Sequence, residues 1–489
     1  MDTSDAIDIG SRLELLVDDY LIDQMKEGAE LRLNHPIPQE VAFVTDKPWE
    51  GSMCGNITVF RDGDKYRMYY KAFHVDVYDE RNRGEELIEP HPLWVAYAES
   101  DDGIHWHRPE LGLVEFGGSK QNNLLWQGVG PEQHGVHGFA PFKDESPDCD
   151  PDARYKAVGG IRRAIKGGLY AMRKSPDGIH WTMLQEEPIV TKGRFDSQNL
   201  AFWDPVRSEY RAYVRDLHDN RRDIRTATSK DFIHWSEPVW LEYPGAPDEE
   251  LYTNQIQPYY RAPHIFLGFP TRYIRRPWLP SIEALPELEH RRIRSRINER
   301  FGAALTDGLF MSSRDGRAFN RWGEAFIRPG PQVEGNWAYG DNYQSWGLVE
   351  TQSHISGAPR ELSLYATEGY WRGKNTYFRR YTLRLDGFVS MHAPLSGAEF
   401  VTKPLTFEGD ELLINFSTSA AGSISVEVQD AEGNPVDGFV LEQCHPNIGD
   451  EIERVVKWQN KNDFRKLAGK PLRLRFVLKD ADLYSLQFR

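Results

Sequence analysis

The chain has 489 residues, is 12% aromatic, and carries 59 Lys and Arg against 74 Asp and Glu, a formal net charge of −15. That length suggests two to four domains, the acidic balance disfavours nucleic acid and anionic membranes as partners, and 39% hydrophobic residues exclude wholesale disorder. No stretch approaches the roughly 18–20 apolar residues of a membrane span, and Cys54, Cys149 and Cys444 are too scattered for a disulfide framework or a C-x-x-C site.

The acidic start, Met1-Asp2-Thr3-Ser4-Asp5, contains no apolar run, so no signal peptide is visible and the sequence as written reads as cytoplasmic, the alternative being a secreted protein whose leader has been trimmed. Residues 1–44 are expected to be an extension packed on the unit that follows. From there a repeat organises the chain. Ser100-Asp101-Asp102-Gly103-Ile104-His105-Trp106 recurs as Ser175-Pro176-Asp177-Gly178-Ile179-His180-Trp181 and as Ser229-Lys230-Asp231-Phe232-Ile233-His234-Trp235. A looser copy is Ser313-Arg314-Asp315-Gly316, followed by Trp322. Asp-Gly is turn chemistry, because Gly accepts a positive φ and Asp bonds its own backbone. Each copy follows a short strand-like run, so each predicts an outer β-hairpin with a Trp under its turn.

A second hairpin precedes each copy: 57–60 with 66–72, 139–142 with 155–159, 200–203 with 210–214, and 255–260 with 265–269. Two hairpins make a four-stranded sheet, the unit of a β-propeller blade. A fifth unit, without the Ser/Asp/Trp turn, is predicted from strands at 343–350, 361–367, 378–385 and 388–391, with Asp386-Gly387 turning the last hairpin. The expected fold is all-β, a five-bladed β-propeller over 45–395 followed by a β-sandwich over 396–489, where short alternating strands are separated by turn signals. The charged stretch 285–300 reads as a helix inserted in the fourth unit. It is chiefly a solvated face, with a lid or a subunit contact as the lesser reading. Oligomerisation, if any, would use this insertion or the sandwich.

The repeat sorts the acids. Asp102, Asp177, Asp231 and Asp315 share one turn in four units and are structural. Acids that occur once, just before an innermost strand, are the catalytic candidates: Glu50 entering the first unit, Asp196 the third and Asp341 the fifth. Glu368, at the end of a strand in the fifth unit beside Tyr370 and Trp371, is a further one. Carboxylates from distant segments that converge on a propeller axis suit glycosidic bond cleavage by acid, base or nucleophile. His134, His137, Asn199, Asn254, Gln255, Arg272, Tyr339 and Trp371 are candidate substrate-binding residues. His134 and His137 lack a carboxylate in ligand spacing, so hydrogen bonding is preferred to metal binding, and neither a metal nor a cofactor is expected. No G-x-S-x-G, P-loop, H-E-x-x-H or EF-hand motif is present.

Five units, Ser-x-Asp-Gly turns and a trailing sandwich together resemble the five-bladed propeller glycosidases of the invertase, levanase and arabinanase type. The resemblance implies an oligosaccharide or glycoside substrate and three acids about the axis, at positions matched by Glu50, Asp196, and Asp341 or Glu368. The chain departs from that pattern in lacking the Asn-Asp-Pro-Asn-Gly opening and a Glu-Cys acid motif, and Asp204 in Trp203-Asp204-Pro205 reads as a turn former. The turns are also similar to the Asp-boxes of sialidases, which have six blades and need an arginine triad. A non-catalytic glycan-binding propeller is the alternative. A phosphorylase is another, for which Arg272, Arg379 and Arg380 are the available cations.

Overall fold

The computed structural model describes residues 6–77, 86–130, 133–161, 168–174, 177–373, 375–459 and 463–489. Ser175 and Pro176 of the second repeat lie outside the described residues. The chain is mostly β, with short helical segments.

Five four-stranded antiparallel sheets follow one another along the chain. The first runs Gly55–Asp62, Lys65–Ala72, Trp94–Ser100 and Leu124–Trp126. The second runs His134–Lys143, Tyr155–Ile161, Tyr170–Lys174 and Trp181–Met183, and the third Leu200–Asp204, Glu209–His218, Arg221–Ser229 and Val239–Trp240. The fourth runs Gln257–Tyr259, Ala262–Gly268, Met311–Ser313 and Asn320–Arg321. Beside it lies a small three-stranded sheet of Glu250–Leu251, Thr271–Ile274 and Leu305–Gly308.

Strands with both faces covered read as apolar runs rather than alternating ones. In Lys65–Ala72, Tyr69 packs toward the second sheet, edge-on to Trp181 at 6.4 Å, while Tyr70 packs toward the fifth, 5.2 Å from Phe43. Tyrosines also reach across to the rim turns. Tyr69 donates to Gly178 O (3.2 Å), Tyr213 to Gly316 O (2.8 Å) and Tyr365 to Gly103 O. Phe142 meets Phe232 at 5.7 Å, and Tyr259 donates to Asp386 at 2.7 Å. Each sheet therefore contacts the next in chain order, and the fifth contacts the first.

The fifth sheet closes differently from the expectation. Its strands are Val349–Thr351, Glu361–Glu368, Tyr377–Arg384 and, outermost, Ile37–Val44 from the amino-terminal segment, with Phe43 opposite Phe378. The expected outer strand at 388–391 belongs elsewhere: Val389–Ala393 pairs with Glu30–Leu33 and with Leu472–Phe488. The reason lies at Asp386, whose φ of 62° turns the chain out of the sheet. Its fully buried carboxylate accepts from Tyr259, Arg261, Asn415 and Ser485, which belong to both parts of the molecule.

The tail is a ten-stranded sheet. Four amino-terminal strands, Ile7–Gly10, Glu14–Leu15, Ile22–Met25 and Glu30–Leu33, are hydrogen-bonded into it, and the same segment also packs on the fourth sheet, where Leu13, Leu15 and Val17 share a core with Tyr259, Ile265 and Leu267 and Arg314 pairs with Glu14 and Asp18. The long strands Leu412–Asp430 and Leu472–Phe488 pair along their length over a core with stacked Phe407 and Phe488 (3.7 Å) and Phe400 and Phe476 (4.8 Å). The insertion is helical over Leu288–Ile297, but it is not merely a solvated face. Arg291 and Arg294 are buried, the first bonded to the carbonyls of Pro286, Gly302 and Trp337, the second stacked 4.4 Å over Trp371.

Candidate active site at the centre of the ring

The starts of the five innermost strands meet at one place. Asn56, Gly138, Gln255 and Asn342 all adopt positive φ there, which turns the chain sharply into or beside each strand. Gly138 has a further reason to lack a side chain, since a Cβ would lie 2.5 Å from Ser197 O. Amides seal the centre. Gln255 Nε2 donates to Gln198 Oε1 (2.8 Å) and Gln344 O (2.9 Å), and Gln198 Nε2 donates to Thr58 Oγ1 (3.0 Å) and Asn56 O (3.2 Å).

On the loop side of this seal lies a mouth of tyrosines and cations. Tyr252 and Tyr339 share a hydroxyl–hydroxyl hydrogen bond of 2.9 Å, and the Tyr252 ring lies 5.4 Å from Tyr343, which stacks on Tyr370 at 5.9 Å. Arg215 and Arg222 sit 5.2 and 5.1 Å over the Tyr252 ring, and Arg300 sits 6.0 Å over Tyr339. Lys71 Nζ donates to Tyr370 Oη at 3.1 Å. Burial pulls the Lys71 amine down to about 8. Burial, aided by the Lys71 and Arg215 cations, pulls His137 down to about 3, so its imidazole is neutral at neutral pH. The Tyr252 phenol is below the usual tyrosine range despite the opposing effect of burial, because Arg215, Arg222 and Arg300 and the Tyr339 hydroxyl favour its anion.

Several buried polar atoms here have no hydrogen-bond partner: Asn56 Nδ2, His137 Nδ1, Ser197 Oγ, Arg215 Nε, Gln255 Oε1 and Tyr343 Oη. Protein interiors pair such groups as a rule, so these atoms are free to bond a ligand or water.

The four predicted acids have different surroundings, with Asp341 and Glu368 near enough to interact electrostatically. Asp196 stands at the mouth, its side chain 38% exposed and ion-paired with Arg215. Glu50 is fully buried at the flank of the first sheet. There Arg108 donates to both its oxygens (2.8 and 2.9 Å) and Tyr70 adds another hydrogen bond, so Glu50 is an ion-paired strut without a free oxygen for chemistry. Asp341 is also buried, behind the mouth, accepting from the Tyr370 N–H (3.0 Å) and the Ala338 N–H (2.9 Å) with Arg372 at 3.3 Å. Burial raises its carboxyl to about 7. Glu368 pairs with Arg379 at 2.6 Å and lines a separate cavity of about 810 Å³ with His35, Pro329, Asn336 and Tyr377.

The binding candidates divide likewise. His137 and Tyr339 belong to the mouth, and Gln255 to the seal beneath it. His134 stacks on Tyr170 at 4.8 Å. Asn199 and Asn254 are buried and hold backbone, Asn199 Oδ1 accepting from the Arg215 N–H at 2.7 Å and Asn254 Oδ1 from the Ile256 N–H at 3.3 Å. Trp371 is 2% exposed, covered by Arg294 and by Phe301 at 4.8 Å, and offers no stacking face to a sugar. Arg272 is held by Asp307 (2.9 and 2.6 Å) and Glu249 (2.5 Å). Arg379 and Arg380 are likewise paired, with Glu368 and Glu40, so none of the three cations read as phosphate ligands is free to bind an anion. Lys71, Arg215, Arg222, Arg300, Tyr252 and Tyr343 escaped the sequence reading. Their signal was a cation in an otherwise apolar strand end, as in Met68-Tyr69-Tyr70-Lys71-Ala72 and Ala212-Tyr213-Val214-Arg215.

No family model matches the chain, and neither does any curated protein. Among solved structures it is similar to an N-acetylgalactosamine deacetylase from F. plautii in complex with blood group B trisaccharide, at 12% identity and a TM-score of 0.42 over 78% of this chain and 94% of that one. It is also similar to a fructofuranosidase from Schwanniomyces occidentalis complexed with fructosylnystose (12%, TM-score 0.36, 98% and 99% covered). A third is a putative glycoside hydrolase from Parabacteroides distasonis (14%, TM-score 0.39, 72% and 96% covered).

Proposed function

We propose that this chain is a glycosidase, built as a five-bladed β-propeller with a trailing β-sandwich and working at the axial mouth on an oligosaccharide or glycoside. The five successive four-stranded sheets and the side-chain contacts running from each to the next support the architecture. The observation that carries the activity is the placement of Asp196. It is a partly exposed carboxylate at the entrance to the third innermost strand, held by Arg215 and set among unpaired buried polar atoms. Paired with a guanidinium, it is an anion able to activate water or attack an anomeric carbon. Tyr252, which shares Arg215 with it, is the neighbouring protic group. Asp341 is a positioning residue in this scheme, fixing the Tyr370 and Ala338 amides from behind.

Turnover of a panel of aryl glycosides and of plant and microbial glycans tests the reading. Wild-type protein should release sugar, and Asp196→Asn should lose on the order of 100-fold or more in kcat. Unchanged turnover in Asp196→Asn removes the residue from the mechanism. Saturable sugar binding without turnover by the wild type would instead establish the glycan-binding alternative.

A further inference from the structure

We propose that the axial mouth contains an oxyanion subsite, formed by Lys71, Arg215 and Arg300 with the Ser197 and Tyr343 hydroxyls. It would receive a carboxylate or sulfate carried by the glycan, or free inorganic phosphate. The proposal rests on the location of the site given above but not on its chemistry.

Elsewhere among the described residues, many buried or half-buried cations are matched by acids. Arg108 holds Glu50, Arg272 holds Asp307 and Glu249, Arg314 holds Glu14 and Asp18, Arg321 holds Glu249, and Arg380 holds Glu40. Arg291, without an acid at ion-pair distance among the described residues, is bonded to three carbonyls. Such pairing is what a desolvated charge requires.

The mouth differs from these. Lys71 is only 8% exposed, and its ammonium is bonded to the neutral Tyr370 phenol, with no carboxylate at ion-pair distance among the described residues. Arg300 likewise has no acid partner among the described residues, while Arg215 has Asp196 for one side of its guanidinium and a buried, unpaired Nε. Four cations, Lys71, Arg215, Arg222 and Arg300, meet two carboxylates, Asp196 and Glu250, and Glu250 is shared between Arg222 and Arg275. A chain of net charge −15 thus gathers positive charge around one group of donors. The unpaired donors Arg215 Nε, Asn56 Nδ2, Ser197 Oγ and Tyr343 Oη are of the kind that surround an oxyanion. An incoming anion would meet the unmatched Lys71 ammonium and occupy these donors together.

Isothermal titration of the Asp196→Asn protein separates binding from turnover. Three probes are used: an oligogalacturonide, the corresponding neutral oligosaccharide, and inorganic phosphate. The proposal expects saturable binding of the oligogalacturonide or of phosphate, weakened at least tenfold by Lys71→Met, with the neutral sugar's affinity unchanged. Oligogalacturonide binding assigns the anion to the glycan, whereas phosphate binding assigns it to a free co-substrate. If neither anion binds, or if Lys71→Met leaves both affinities as they were, the subsite is overturned. Should Lys71→Met fail to fold, Arg300→Gln, which alters a half-buried side chain at the same mouth, gives the same reading. Anion binding together with failure to cleave any panel glycoside would keep the subsite and remove the glycosidase.

Discussion

The rim turns and the axial mouth treat their polar groups in opposite ways. At the rim, Asp102 Oδ1 accepts from the Ile104 and His105 N–H groups at 2.8 Å each, and its Oδ2 meets His105 Nδ1 at 2.7 Å. Asp231 repeats the pattern with Ile233 and His234, and Asp315 bonds the Arg317 and Ala318 amides. These bonds to the ionised form hold Asp102, Asp231 and Asp315 below the usual carboxylate range despite the opposing effect of burial. At the mouth, by contrast, several buried donors and acceptors lack protein partners, and the buried Lys71 has no carboxylate at ion-pair distance among the described residues. The repeated turn aspartates, fully bonded, are architecture; the unpaired donors gathered beside Lys71 and Arg215 are capacity for a ligand.

The sharpest way to break this division is to disturb an acid that the mouth does not contain. Glu50→Gln should leave the half-buried Arg108 with Asp46, at 3.4 Å, as its remaining counter-ion and cost about 3 kcal/mol, read by urea denaturation. Sugar affinity per folded molecule should stay as in the wild type. A selective loss of turnover at unchanged stability would return Glu50 to the catalytic group.

Asp341 sharpens the same boundary through pH. Burial raises its carboxyl from the ordinary 3.8 to about 7, so the fold favours the protonated form. As pH rises through this interval the unfolded chain ionises before the folded one does. The contribution is therefore full below about pH 4, falls as pH rises to about 7 and is constant above, for a total of ~2–4 kcal/mol. His137, lowered to about 3 by burial and by the Lys71 and Arg215 cations, acts in the opposite sense, its contribution being lost as pH falls from 6.5 toward 3. Asp341→Asn should flatten the first dependence and leave the second. Equilibrium unfolding between pH 4 and 8 measures both, and an unaltered slope in Asp341→Asn would refute the buried-acid account.

How much the sequence disclosed follows the range of each interaction. The rim turns were legible because Ser, Asp and Gly act within three residues, as in Ser100 Oγ accepting from the Gly103 N–H at 2.9 Å. The edge that closes the fifth sheet was not, since it joins residues about 340 apart, as Arg379 bonding to Gln39 O illustrates. For the entrance acids, position was readable and orientation was not. Glu50, Asp196 and Asp341 all precede an innermost strand, but Arg108 draws the first aside, and two backbone amides hold the last, Asp341, behind Tyr370. Lys71 and Arg215 lie at the ends of second strands, where a cation in a single sequence looks like an ordinary exposed strand end; only the convergence of sheets shows them buried.

A milder pair of substitutions probes the rim itself. Asp231→Ala removes two backbone acceptor bonds and the His234 contact from a largely exposed turn, and should cost ~1–2 kcal/mol without altering sugar binding. Tyr213→Phe should cost less, on the order of 1 kcal/mol, since it removes one hydroxyl that joins the third sheet to the fourth turn at Gly316. The two act on separate turns and share no partner, so their effects should add in the double variant. If Tyr213→Phe instead weakened ligand binding at the mouth, the rim would be coupled to the site through sheet packing, and architecture and ligand capacity could no longer be assigned to separate sets of residues.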